Sequence, residues 1–91
     1  MKIVWTNLAE HDLETIEEYI ASDNTRAAIS VVLHLIDSVH NLPENPHIGR
    51  AGRVLGTREL IITNYPYVVI YRVIDSSIEI IRVLHTSRKW D

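Results

Sequence analysis

Pro66-Tyr67-Val68-Val69-Ile70-Tyr71-Arg72-Val73-Ile74-Asp75-Ser76-Ser77-Ile78-Glu79-Ile80-Ile81-Arg82-Val83-Leu84-His85 is the stretch that decides the fold. Its two halves are β-branched and aromatic, the side chains that pack best on a pleated surface. Asp75-Ser76-Ser77 interrupts them with turn residues, so the spacing predicts strands over Tyr67–Ile74 and Ile78–Leu84 joined as a tight hairpin. Strand side chains alternate between faces. Val68, Ile70, Arg72 and Ile74 therefore share one face, and Tyr67, Val69, Tyr71 and Val73 the other. Both sets are mostly apolar, and the period alone does not say which one is covered.

Upstream, Leu60–Thr63 reads as a further strand, set off by Asn64-Tyr65-Pro66. Before it lies Pro43-Glu44-Asn45-Pro46-His47-Ile48-Gly49-Arg50-Ala51-Gly52-Arg53. This segment holds two of the three Pro and two of the three Gly, so it reads as an exposed loop.

The N-terminal half changes period. Ala28, Val32, Leu35, Val39 and Leu42 recur at 4-3-4-3, with Ile29 and Ile36 widening the stripe. That pattern predicts an amphipathic helix of about 18 residues ended by Pro43. Leu8, Ala9, Leu13, Ile16 and Ile20 predict an earlier helix over residues 7–22, capped by Thr6 or by a capping box from Asn7 to Glu10. Ser22-Asp23-Asn24-Thr25 breaks the two and starts the second. Lys2–Trp5 is a short opening strand. The predicted order is β-α-α-β-β-β, an α+β fold with a helical hairpin on one face of a mostly antiparallel twisted sheet. Two helices cannot cover both faces, so the other face should be partly open. The apolar stripe is also wider than one contact face needs, which predicts a groove fit for a partner's helix.

At 91 residues the chain is one small domain. It has no Cys, which excludes disulfide frameworks, zinc ribbons and thiol catalysis. No apolar run approaches the roughly 20 residues of a membrane span, and no signal-peptide pattern opens the sequence. The expectation is a cytoplasmic protein. The glycines are too widely spaced for a phosphate loop, and the five His form no metal-ligand pattern, so no cofactor or metal is expected.

Net charge is −3, but unevenly spread. Residues 1–45 carry eight acids and two bases; residues 46–91 carry seven bases, six of them Arg, and four acids. A basic half-domain suggests a surface for an anion, including nucleic acid. Two clusters stand out. Arg82, His85, Arg88, Lys89 and Trp90 fall within nine residues. A His can move a proton, Arg can stabilise a phosphate transition state, and Trp can stack on a base. That set suits cleavage of RNA by its own 2′-hydroxyl, and equally suits plain phosphate or protein contact. Arg50, Arg53, Arg58 and Glu59 form the second cluster, in which Glu59 reads as an ion-pair partner of Arg58 or as a general base held by an Arg.

The blocks of this sequence resemble the RelE/ParE superfamily of bacterial toxin–antitoxin toxins. They are Met1-Lys2-Ile3-Val4-Trp5-Thr6, Ala9-x-x-Asp12-Leu13-x-x-Ile16-x-x-Tyr19-Ile20, Asn41-Leu42-Pro43-x-x-Pro46-x-x-Gly49-Arg50, Gly56-Thr57-Arg58-Glu59-Leu60, Pro66–Val73 and Ile80–Trp90. The resemblance covers essentially the whole chain, in order. It implies a toxin held inactive by a cognate antitoxin in a hetero-oligomer. RelE-like members cleave ribosome-bound mRNA; ParE-like members inhibit DNA gyrase and are not nucleases. Val68 stands where the RelE-like nuclease pattern has an Arg, and ParE-like chains also have an apolar residue there. One nuclease branch also lacks that Arg and uses a His at the position of His85. The resemblance thus implies mRNA cleavage as the first expectation and gyrase inhibition as the alternative. The expected catalytic residues are His85, Arg58 and Arg88. The expected substrate contacts are Arg50, Arg53, Arg82, Lys89 and Trp90.

Overall fold

The computed structural model describes residues 1–88. The elements run β1 (Lys2–Trp5), α1 (Asn7–Ala21), α2 (Thr25–His40), a 3₁₀ turn (Leu42–Glu44), β2 (Arg50–Ala51), β3 (Arg58–Ile61), β4 (Tyr67–Ile74) and β5 (Ser77–His85). The predicted order holds, with one strand more than expected. The segment read as an exposed loop contains β2, which pairs antiparallel with β3 through Arg50↔Glu59 and Ala51↔Arg58. β3 itself begins two residues earlier than the sequence suggested, because this pairing extends it. α2 is two residues shorter than expected. Pro43 cannot continue an α-helix, and the chain tightens into the 3₁₀ turn just before and around it.

Both helix starts use side-chain caps. Thr6 accepts from the Ala9 N–H at 3.1 Å and Asn24 from the Ala27 N–H at 3.0 Å. The sheet order is β1-β5-β4-β3-β2, antiparallel except where β1 lies parallel to β5. β4 and β5 join through the two residues Asp75 and Ser76, with Asp75 in the left-handed region at φ 53°.

The helical hairpin covers the face that carries Tyr67, Val69, Tyr71, Ile78, Ile80 and Val83. Ala9, Val31, Leu35, Val39 and Leu42 pack onto it from above. Val31, rather than Val32, is the buried residue at that turn of α2. The opposite face holds a smaller apolar group, Val68, Ile70 and Leu84 with Ile81 beside them. Among the described residues no helix is long and apolar enough to cross a membrane.

Candidate functional site

The parity of β5 changes partway along. Ile78 and Ile80 point into the helix-covered core, and simple alternation would send Arg82 and Leu84 the same way. The ladder slips instead: Tyr71 opposes Ile80 while Ile70 opposes Arg82, so Ile81 is an extra residue. A bulge of this kind re-aims everything beyond it. Past Ile81 the odd-numbered residues turn inward. Val83 joins the core, Leu84 joins the open face, and His85 lies edge-on to Tyr67 with ring centres 5.6 Å apart.

β1 pairs with only the first part of β5, ending at Trp5↔Ile80. Beyond that point the outer edge of β5 needs other partners. The start of α1 supplies them. The Thr6 hydroxyl donates to the Ile81 carbonyl at 3.1 Å, and the Asp12 carboxylate accepts the Val83 N–H at 2.9 Å. Asp12 also takes two bonds from the Arg82 guanidinium, at 2.8 and 2.9 Å. The hydrogen bond to Asp12 raises the Arg82 pKa above its ordinary value, with burial opposing it. Arg82 is thus committed to fastening α1 onto β5.

The other predicted site arginines fall into two places. On the open face, Arg50, Arg53 and Arg88 border a shallow hollow with Glu59, over a floor that includes Val68, Ile70 and Leu84. Glu59 is buried at 6% exposure and fully engaged. One carboxylate oxygen accepts from Arg50 Nε and Nη2 at 3.2 and 3.0 Å, and the other from the Arg53 backbone N–H at 3.3 Å. The expected Arg58–Glu59 pair does not form, because neighbours on a strand point to opposite faces. Arg58 sits opposite Tyr71 on the other side of the sheet and donates to the carbonyls of Gly49 and His47 at 2.9 and 3.3 Å.

His85 lies on the helix side, at the mouth of a separate cavity of about 310 Å³ with Asp12, Tyr19, Tyr67, Ser87 and Arg88. The Ser87 N–H donates to His85 Nδ1 at 3.1 Å, so the neutral ring carries its proton on Nε2. Arg88 borders both hollows, and its N–H donates to the His85 carbonyl at 2.9 Å. His85 and Arg58 are two strands and four residues apart, about 16 Å by strand geometry. The structure therefore joins Arg88 to His85, and Arg50 to Arg53, but does not bring His85, Arg58 and Arg88 into one cluster. Lys89 and Trp90 lie outside the described residues. The roles of Asp12 and Tyr71 follow only from the fold. Asp12 was visible as an acid at a position where α1 faces inward.

Among the described residues no group of His and carboxylates is arranged to hold a metal ion. A third concavity, about 340 Å³, runs along the helices, with Trp5, Leu13, Val32 and Ile36 as an apolar floor and Glu10, Glu14 and Glu17 around it.

A five-stranded sheet in this order under a helical hairpin, with a basic open face, is the architecture of a known class of small toxin. The family model described as the ParE toxin of the type II toxin–antitoxin system, parDE, matches residues 3–90. The chain is a member of the ParE/RelE family of type II toxin–antitoxin toxins. It is 39% identical over 89 residues to Y4kP of Sinorhizobium fredii, covering 98% of this chain and 92% of that protein. It is 36% identical over 87 residues to toxin RelE2 of Caulobacter vibrioides, covering 96% of this chain and 97% of that one. Its structure is similar to that of the chromosomal ParDE system from P. aeruginosa, with a TM-score of 0.85 and 28% identity over 93% of this chain and 95% of that one.

Proposed function

We propose that this toxin arrests growth by binding and inhibiting DNA gyrase, and that a cognate antitoxin neutralises it by laying a helix in the groove beside Trp5, Leu13, Val32 and Ile36. The observation that carries the gyrase reading is the separation of His85 from Arg58 and Glu59. Metal-free cleavage of RNA needs a proton acceptor, a proton donor and phosphate-binding cations converging on one scissile group. Here the His lies on the helix side of the sheet with Arg88 beside it, Arg50 and Arg53 lie on the other side, and both oxygens of Glu59 already accept hydrogen bonds. An inhibitor that works by docking needs no such convergence. The ParE description of the matching family supports the same reading.

The antitoxin groove has an acidic rim of Glu10, Glu14 and Glu17. A basic amphipathic helix is its complement.

Purified toxin should block gyrase supercoiling in a reaction without ribosomes, and His85→Ala should retain that inhibition within about twofold. Primer extension on a translated message should show no new cuts after induction. Normal supercoiling at excess toxin, together with cuts that His85→Ala abolishes, would replace this reading with mRNA cleavage.

A further inference from the structure

The β2–β3 hairpin ends in a bare apolar tip. Leu55 is 100% exposed and Val54 is 39% exposed, the former the most solvent-exposed large apolar side chain among the described residues. Loop tips that only connect strands are normally polar. This one is also held stiffly. The Gly52 N–H donates to the Thr57 carbonyl at 2.8 Å, closing the loop. The Thr57 N–H and hydroxyl both donate to the Val54 carbonyl, at 3.0 and 2.6 Å. Gly56 takes φ +86°, a conformation other residues rarely adopt, and a Cβ at Gly52 would run into the Thr57 hydroxyl.

The base of the projection is fastened as well. Arg58 holds the Gly49 and His47 carbonyls. The buried Tyr71 hydroxyl donates to the Pro46 carbonyl at 2.8 Å and accepts from the Gly49 N–H at 2.9 Å. Polar groups thus fix everything around Leu55 and leave Leu55 itself uncovered. A loop backbone already held in one geometry loses little entropy on docking, which favours the apolar side chain it presents as an interface anchor.

We infer that the Val54–Leu55 tip is the anchor by which the toxin docks into an apolar, acid-rimmed pocket on its protein target. The inference rests on the reading of this toxin as an inhibitor that works by docking. The charge around the tip selects the occupant. Residues 50–61 carry Arg50, Arg53 and Arg58 against the single Glu59, whereas α1 carries only acids. A basic antitoxin helix suited to the α1 groove is repelled by the tip; a target pocket lined with carboxylates is attracted to it. Beside the tip a hollow of about 510 Å³, with Ile74, Ile81 and the Arg72–Glu79 pair on its walls, gives the pocket's rim a place to seat.

The test compares full-length wild-type toxin with Leu55→Met, Leu55→Ala and Leu55→Asp, scored by growth arrest on induction and by gyrase supercoiling. Leu55→Ala should weaken both by roughly tenfold or more, Leu55→Asp should abolish both, and Leu55→Met should stay within about threefold. Thermal midpoints should not move, because a fully exposed side chain supports no core. Full growth arrest by Leu55→Asp overturns the anchor. If wild-type toxin leaves gyrase untouched but Leu55→Asp still loses growth arrest, the anchor stands and the gyrase target falls. A concentration-dependent dimer that Leu55→Asp dissolves, with toxicity intact, assigns the tip to a second copy of the chain and overturns the proposal.

Discussion

The two faces of the sheet are apolar at their centres but finished in different ways. On the covered face, Tyr67, Val69, Tyr71, Ile78, Ile80 and Val83 meet a helical hairpin and lose contact with water. On the open face, Val68, Ile70 and Leu84 are covered only by their neighbours and by the arginines and glutamate at the rim. The difference teaches that burial alone does not separate scaffold from working surface. Val68 and Ile70 are as buried as many core residues, yet they form the floor of a charged hollow. What separates the faces is the charge left at the edges once the apolar area has been hidden.

The sharpest way to test this division is to damage the covered face. Leu35 is fully buried under the sheet, so Leu35→Ala should cost about 2–5 kcal/mol in urea unfolding. A cost below 1 kcal/mol would mean that the hairpin is not what holds the sheet together.

The next effect concerns the seam. Asp12→Ala leaves the Arg82 guanidinium and the Val83 N–H without their partner and should cost about 2–3 kcal/mol. Asp12→Asn keeps an acceptor for Val83 and loses the charge, so it should fall between wild type and alanine. If both variants matched wild type, the α1–β5 seam would have to be held by packing alone.

The smallest effect concerns the phenols. Burial raises the pKa of Tyr71 above its ordinary value of 10.0, against the lowering pull of the Gly49 N–H and Arg58, and burial with nearby Tyr19 raises that of Tyr67. The unfolded chain therefore ionises first. The stability these phenols carry is complete below about pH 10 and is lost as pH rises through the folded values. Tyr71→Phe should cost about 1 kcal/mol at neutral pH, by orphaning the Gly49 N–H and Pro46 carbonyl, and should make the alkaline loss shallower. Urea titrations between about pH 8 and pH 11 read both effects.

The helices were legible because their apolar spacing had no competing explanation. β2 was hidden, since Arg50 and Ala51 sit among Gly and Pro and pair only through a hairpin closed in three dimensions. The covered face was illegible because Tyr67–Tyr71 is buried on both sides, which erases the alternation that would have marked it. The site was read less well than the fold. Arg58 and Glu59 are adjacent in sequence and opposite in space, which strand parity alone could have revealed. The placement of His85 could not have been recovered that way. The bulge at Ile81 reverses the parity of β5 between the turn and His85, and nothing in Ile80-Ile81-Arg82 marks it.

The parallel pairing of β1 with β5 also governs how the toxin comes into being. Thr6 bonds to a carbonyl 75 positions away, and among the described residues strand β1 has no neighbour in the sheet except β5. β1 therefore stays unpaired until β5 has been made, a closure that is slow because so much chain separates the two strands. A nascent chain arrested before β5 lacks the edge that anchors α1.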